Sequence, residues 1–251
     1  MALALLGAGH RVVATGRDGM RINAFLKESA ARVGDGRALG IVASVRSVNE
    51  CEFVVRETLA QFGRIDALVN NAGVHQAATA ERPKFFEIAD DEWTAIVDTH
   101  LNGTFYMTRK VVPHLLAAGW GRIVNHETSY ATMLRPGFTP YGAAKAGVEV
   151  ATAAWAHELA GSGVTVNAIL PGGVADVPRI SAEFHPDRSK LVGPHRMGPP
   201  ICWLMSDASA GYSGCRVTAR HWDSNVSDLE NVERAISPAG FAKITAERIA
   251  E

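Results

Sequence analysis

Short apolar runs alternate with longer helical stretches along most of the 251-residue chain. Runs at residues 11–15, 38–43, 67–69, 121–125, 164–170 and 216–219 predict strands. The stretches between them, 21–33, 48–62, 91–118, 140–160 and 199–206, predict helices. This alternation implies βαβ units around a parallel sheet. Asp90 or Asp91 is a candidate N-cap for the long helix. Residues 177–200 carry Pro178, Pro186, Pro194 and Pro199 and little periodicity, so they read as a loop or short helices over a site. The pattern stops near residue 224. The expected organisation is one domain over 1–223 and a polar tail over 224–251 with a helix at its end. No internal repeat or low-complexity linker is visible.

Composition adds mainly exclusions. Lys and Arg number 25 against 26 Asp and Glu, for a net charge of −1, and the basic residues are scattered. That pattern suggests neither a nucleic-acid nor a membrane partner. No apolar run approaches the roughly 18 residues of a spanning helix. Residues 1–6 are apolar but lack the basic flank and length of a signal peptide. Cys51, Cys202 and Cys215 are odd in number and far apart, so neither a disulfide framework nor a metal site is expected. Cys51 reads as buried filler rather than a reactive thiol. A reducing cytoplasm is the default location.

The candidate chemistry centres on Tyr141 and Lys145. Four residues is about one helical turn, so both side chains lie on one face. An ammonium near a phenol favours the phenolate and lowers its pKa. Tyr141 would then give or take a proton near neutral pH.

Other motifs surround this pair. Leu68-Val69-Asn70-Asn71-Ala72-Gly73 ends one apolar run, and Arg122-Ile123-Val124-Asn125 leads to Thr128 and Ser129. Val164-Thr165-Val166-Asn167-Ala168-Ile169-Leu170 ends in Pro171-Gly172-Gly173. In this order and spacing the set resembles the short-chain dehydrogenase/reductase family, from Met1 to about Asp223. The resemblance implies a doubly wound, Rossmann-type α/β sheet. It also implies a hydride moved between a nicotinamide cofactor and a carbonyl or secondary alcohol.

The resemblance assigns roles residue by residue. Tyr141 becomes the proton carrier. Lys145 perturbs it and holds the nicotinamide ribose. The family serine thirteen positions before the tyrosine falls on Thr128, whose hydroxyl is favoured over that of the adjacent Ser129. The family asparagine three positions before a glycine falls on His100, a possible proton relay. Asn102 would point about 200° away around the helix. Gly16 stands where an acidic ribose ligand is common, and Arg17 follows it, which favours NADP over NAD. Asp18 is the counter-argument. Ser44 and Val45 stand near the adenine position. Asn71, Ala72 and Gly73 form the wall under the cofactor, with Asn71 also read as a strand-to-strand tie. Pro171, Gly172 and Val174 lie beside the nicotinamide; Val177 stands where a threonine is common. Glu127 is unusual beside Thr128 and receives no catalytic role.

The largest departure concerns the family's opening strand and glycine-rich turn. Residues 1–9 read as the end of the helix that follows them, with Gly7 and Gly9 as its C-cap. A sheet lacking its first strand, in a chain inactive or nearly so, is therefore expected. The alternative is a degenerate member that no longer binds cofactor and serves as a binding or oligomer partner. An epimerase or dehydratase on the same fold is a further, less favoured reading. A homo-oligomer, dimer or tetramer, pairing helices over 93–116 and 140–159 is expected from the family habit. The identity of the small-molecule substrate is beyond the sequence; the basic residues of the 177–200 segment (Arg179, Arg188, Lys190, Arg196) hint at an acidic one.

Overall fold

The computed structural model describes residues 1–74, 82–177 and 187–241. Its elements run α1 (Ala2–Gly7), β1 (Val12–Gly16), α2 (Gly19–Val33), β2 (Ala38–Val42), α3 (Val48–Phe62) and β3 (Ala67–Asn70). They continue with α4 (Asp90–Val97), α5 (Gly103–Ala118), β4 (Gly121–His126), α6 (Tyr130–Met133), α7 (Thr139–Glu158) and β5 (Val164–Leu170). The last are α8 (Gly198–Leu204), β6 (Cys215–Thr218), α9 (Asp228–Ala235) and β7 (Ile236–Pro238).

Strands β3, β4, β5 and β6 form a parallel sheet in that order, and β7 pairs antiparallel with β6. Strands β1 and β2 form a separate parallel pair. Helices cover both faces. On one, Leu5, Ile201, Trp203 and Ala235 pack against Val124, Ile169 and Val217. On the other, Val54, Val55, Met107 and Val111 pack against Ile123 and Val166. This is a Rossmann-type α/β fold. Strands β1 and β3 do not pair, and a cavity of about 410 Å³ lies between them. Strands β4 and β5 are almost wholly buried, whereas β1 and β3 are only half-buried or exposed.

Local chemistry explains the boundaries. Asp18 caps α2 by accepting from the Met20 and Arg21 amides at 2.9 and 3.2 Å. Ser47 caps α3, and Gly63 ends it in the left-handed conformation.

Two expectations need correction. The long helix over 91–118 is interrupted. Asp98–Asn102 forms a π-helical turn between α4 and α5, a local widening often found at functional sites. The tail over 224–251 is not all tail. Ser227 and Glu230 make a reciprocal capping box that starts α9, and β7 extends the sheet. Asn231 Nδ2 donates to the Asp223 carbonyl at 2.9 Å, tying α9 down. A helix at the very end of the tail would lie outside the described residues, as do Pro178, Arg179 and Pro186.

Candidate active site

Strands β1 to β6 are mutually parallel within their sheets, so their C-terminal ends gather on one edge. That edge is where α/β sheets bind ligands. Arg17 follows β1, Ser44 and Val45 follow β2, and Asn71, Ala72 and Gly73 follow β3. Thr128 follows β4, and Pro171, Gly172 and Val174 follow β5.

Tyr141 and Lys145 lie one turn apart on α7, as expected. Lys145 is buried, its Nζ lies 6.0 Å from the centroid of the Tyr141 ring, and it donates to the His126 carbonyl. Burial pushes the Lys145 pKa down, opposed by the charge of Glu127. Glu127 is itself fully buried, and its Oε2 accepts from the Thr128 amide at 3.1 Å. Burial raises its pKa to about 8, opposed by Lys145. A buried acid therefore stands behind a buried base at the end of β4.

His100 is buried in the π-helical turn, and its ring meets that of Tyr141 edge-on, centroids 5.1 Å apart. Its Nε2 lies 2.7 Å from the Val74 carbonyl and 3.2 Å from the Val74 amide. A Cβ on Gly73 would come within 2.7 Å of the imidazole, so this packing requires glycine there. Asn102 turns to its own helix, donating to Asp98 Oδ1 at 2.7 Å, and does not reach the site.

Of the two candidate hydroxyls, Ser129 is engaged. It caps α6, accepting from the Thr132 amide at 3.2 Å. Thr128 has its backbone held on both sides, by Glu127 at the amide and by Arg216 at the carbonyl (2.8 Å).

The strand-to-strand tie expected of Asn71 belongs to its neighbour. Asn70 Nδ2 donates to Asn125 Oδ1 at 2.9 Å and to Thr108 Oγ1 at 3.0 Å. Asn125 in turn donates to Thr152 on α7 at 2.8 Å. Asn71, Ala72 and Gly73 are exposed. Asp18, the residue set against NADP, is occupied as a helix cap and pairs with Arg21 at 3.2 Å. Arg17 is exposed beside it. Ser44 is folded into its own turn, its amide donating to Glu50 Oε2 at 2.8 Å. Val45 packs where a Cβ on Gly103 would meet it at 2.6 Å. Gly172 has a φ of +83°, and a Cβ there would strike Thr218 at 2.6 Å.

Sequence reasoning missed two features. Glu149, one turn beyond Lys145, is fully buried and accepts from Tyr130 and the Gly240 amide, each at 2.9 Å, and from Arg216. An acid in an otherwise small and apolar helical stretch was the available signal. The second is a rim of charge. The Arg82 and Arg135 guanidinium groups lie 3.8 and 5.3 Å from the centroid of the Phe138 ring. Phe138 is 6.5 Å from Tyr141, centroid to centroid. No spacing rule joins Arg82 to Arg135.

The family model for short chain dehydrogenases matches residues 1–187. The chain belongs to the short-chain dehydrogenase family. It is 35% identical over 218 residues to a 3-oxoacyl-[acyl-carrier-protein] reductase of Synechocystis sp., covering 84% of this chain and 85% of that protein. It is 34% identical over 221 residues to the (2S)-[(R)-hydroxy(phenyl)methyl]succinyl-CoA dehydrogenase subunit BbsD of Thauera aromatica, covering 85% and 86%. Among solved structures, a variant of actinorhodin polyketide ketoreductase with NADPH superposes with a TM-score of 0.74 at 31% identity, covering 84% and 87%. This short-chain dehydrogenase is an NAD(P)-dependent oxidoreductase acting between a carbonyl and a secondary alcohol.

The residues present fit the nicotinamide half of such a cofactor. The exposed 71–73 backbone, the tight Gly172 turn and the Lys145 ammonium stand on one edge of the sheet. For the pyrophosphate half, no Thr-Gly-x-x-x-Gly-x-Gly turn between a strand and a helix occurs among the described residues; the β1-to-α2 turn carries only Gly16 and Gly19, and Gly7 and Gly9 sit at the C-terminal end of α1.

Proposed function

We propose that the chain is an NADPH-dependent reductase of 3-oxoacyl compounds carried on an anionic group. The observation that carries the chemistry is the buried Lys145 ammonium beside Tyr141 at the ends of the parallel strands. When bound, the dihydronicotinamide supplies the hydride. Tyr141 gives the proton to the carbonyl oxygen as it becomes a hydroxyl. Lys145 stabilises the phenolate left behind, and its ammonium would hold the ribose of a bound nicotinamide. The Thr128 hydroxyl orients the carbonyl. His100, fixed by Val74 and Gly73, buttresses the Tyr141 ring. Asn71, Ala72, Gly73, Pro171, Gly172 and Val174 would line a bound cofactor, and Ser44 and Val45 would flank its adenine.

The substrate class rests on two supports. Two compared relatives carry acyl or acyl-CoA substrates in their names. The Arg82 and Arg135 cations at the mouth suit a phosphate or carboxylate on the carrier. The acidic-substrate hint from 177–200 is weaker, since Arg188 pairs with Asp176 and Lys190 with Asp187. The cytoplasm is the proposed location, and a homo-oligomer the proposed state. No helix among the described residues is long and apolar enough to cross a membrane.

Tyr141→Phe tests the proton carrier. It should lower kcat about 10²–10⁴-fold with cofactor affinity kept. Turnover near the parent's would reject the assignment. Arg17→Ala tests NADP preference. It should weaken NADPH roughly 10–100-fold, the worth of a charge-assisted bond to phosphate, and leave NADH unchanged. Equal losses for the two would reject it.

A further inference from the structure

Glu149 on α7 and Arg216 on β6 are both buried, and the reduction gives neither of them a step. Burying two charges is costly unless both are paired and hydrogen-bonded. Here they are. Glu149 Oε1 accepts from the Tyr130 hydroxyl and the Gly240 amide, each at 2.9 Å, and Oε2 accepts from Arg216 Nη1. The other arm of the guanidinium, Nη2, donates to the Thr128 carbonyl at 2.8 Å. Its face lies 4.0 Å from the centroid of the Tyr130 ring.

The donors to Glu149 come from three places in the fold: Tyr130 opens α6, Arg216 sits in β6 and Gly240 follows β7. The turn after β7 is fitted to this position. The Ala239 amide donates to the Gly214 carbonyl at 2.8 Å. Gly240 has a φ of +80°, and a Cβ there would come within 2.7 Å of Ala153 on α7, so glycine permits the approach. Phe241 has a φ of +57°, the one positive value among the described non-glycine residues, and its ring stacks on Tyr130 at 4.9 Å. A bulky residue keeps such a backbone only where its surroundings over-determine it.

This scaffold grips Thr128. Glu127 Oε2 accepts from its amide at 3.1 Å, and Arg216 donates to its carbonyl at 2.8 Å. The peptide groups on both sides of its Cα are therefore tied to buried charged side chains. Fixing both fixes the direction of the Cα–Cβ bond, and β-branching leaves χ1 few choices. A hydroxyl that orients a reacting carbonyl needs this, since a misplacement of about 1 Å can cost on the order of 10²-fold in rate.

We propose that Arg216 and Glu149 are positioning residues: braced by the turn at 239–241, they hold the Thr128 carbonyl and thereby aim the Thr128 hydroxyl. The inference rests on the role given to Thr128 in the proposed reduction. It makes strand β7 and the turn after it part of the support of the active site.

Two variants test it, first without cofactor or substrate. Arg216→Lys leaves Glu149 a cationic partner but replaces the planar fork by a compact ammonium that cannot span both acceptors. The double variant Arg216→Met, Glu149→Met removes both charges at similar volume, a replacement often neutral for stability. With labelled threonine methyl groups, three-bond couplings of the Thr128 methyl carbon read its χ1. The parent should show one rotamer. Both variants should show averaged couplings at Thr128, while Thr108, buried on α5, keeps the parent's values. With NADPH and acetoacetyl-CoA, kcat should fall about 10²-fold and KM stay near the parent's. Averaging in the parent, or a folded variant with Thr128 still in one rotamer, would overturn the proposal. So would averaging at Thr128 with kcat unchanged. Loss of the fold in both variants would overturn it too, by making the pair a fold anchor. A parent that lacks turnover rejects the proposed reduction, whereas the couplings still decide whether Arg216 and Glu149 position Thr128.

Discussion

Glu127 is the residue whose environment is most demanding. It is fully buried beside Lys145, with its pKa raised to about 8 from an ordinary 4.5 by burial. A raised folded-state value means that the acid form is favoured in the native protein. Its contribution to stability is complete below about pH 4.5 and is lost as pH rises to about 8. Over that window its loss has a limiting slope of roughly 1.4 kcal/mol per pH unit. Lys145 acts in the opposite sense, since its lowered pKa costs stability as pH falls through the folded value. Glu127→Gln isolates the acid. The variant should lose the decline between pH 5 and 8 and gain stability relative to the parent at pH 8. Urea unfolding at several pH values measures this, and parallel curves for the two proteins would reject the buried-acid account.

At the scale of elements, α4, α5 and α7 expose apolar surface. Trp93, Phe105, Leu116 and Val150 are 42–53% exposed. Exposed large side chains on neighbouring helices are what a helix-to-helix subunit interface would cover. Light scattering at micromolar concentration should report a dimer or tetramer; a monomer would contradict the proposed assembly. These helices were legible in the sequence as long stretches between strand-like runs, although α4 starts from Ala89 with no side-chain cap rather than from Asp90 or Asp91. The π-helical turn was not; it places His100 against Gly73 and Tyr141, residues far apart in the chain. Strand β7 was equally hidden. Three residues carry no period, and their place depends on pairing with β6. Within the site, the Tyr141 and Lys145 pairing followed from one helical turn. The Arg216, Glu149 and Tyr130 network, with Tyr130 stacked on Phe241 at 4.9 Å, needed the fold to bring it together.

At the scale of the molecule, the sheet is two sheets. The β1–β2 pair holds to the rest through side chains, with Ile41, Val13 and Leu39 packed against α3, and through no backbone ladder to β3. Two-stranded sheets are marginal by themselves. Cooperativity in unfolding depends on how strongly parts share their stabilisation, and ladders shared across a sheet are the strongest such link. Here that link is missing between β1 and β3. The protein should therefore melt in two steps, residues 12–42 loosening before the five-stranded body. In a scanning calorimeter the total heat absorbed would then exceed the van't Hoff enthalpy of the main transition. Equality of the two would mean that side-chain packing alone makes the molecule melt as one.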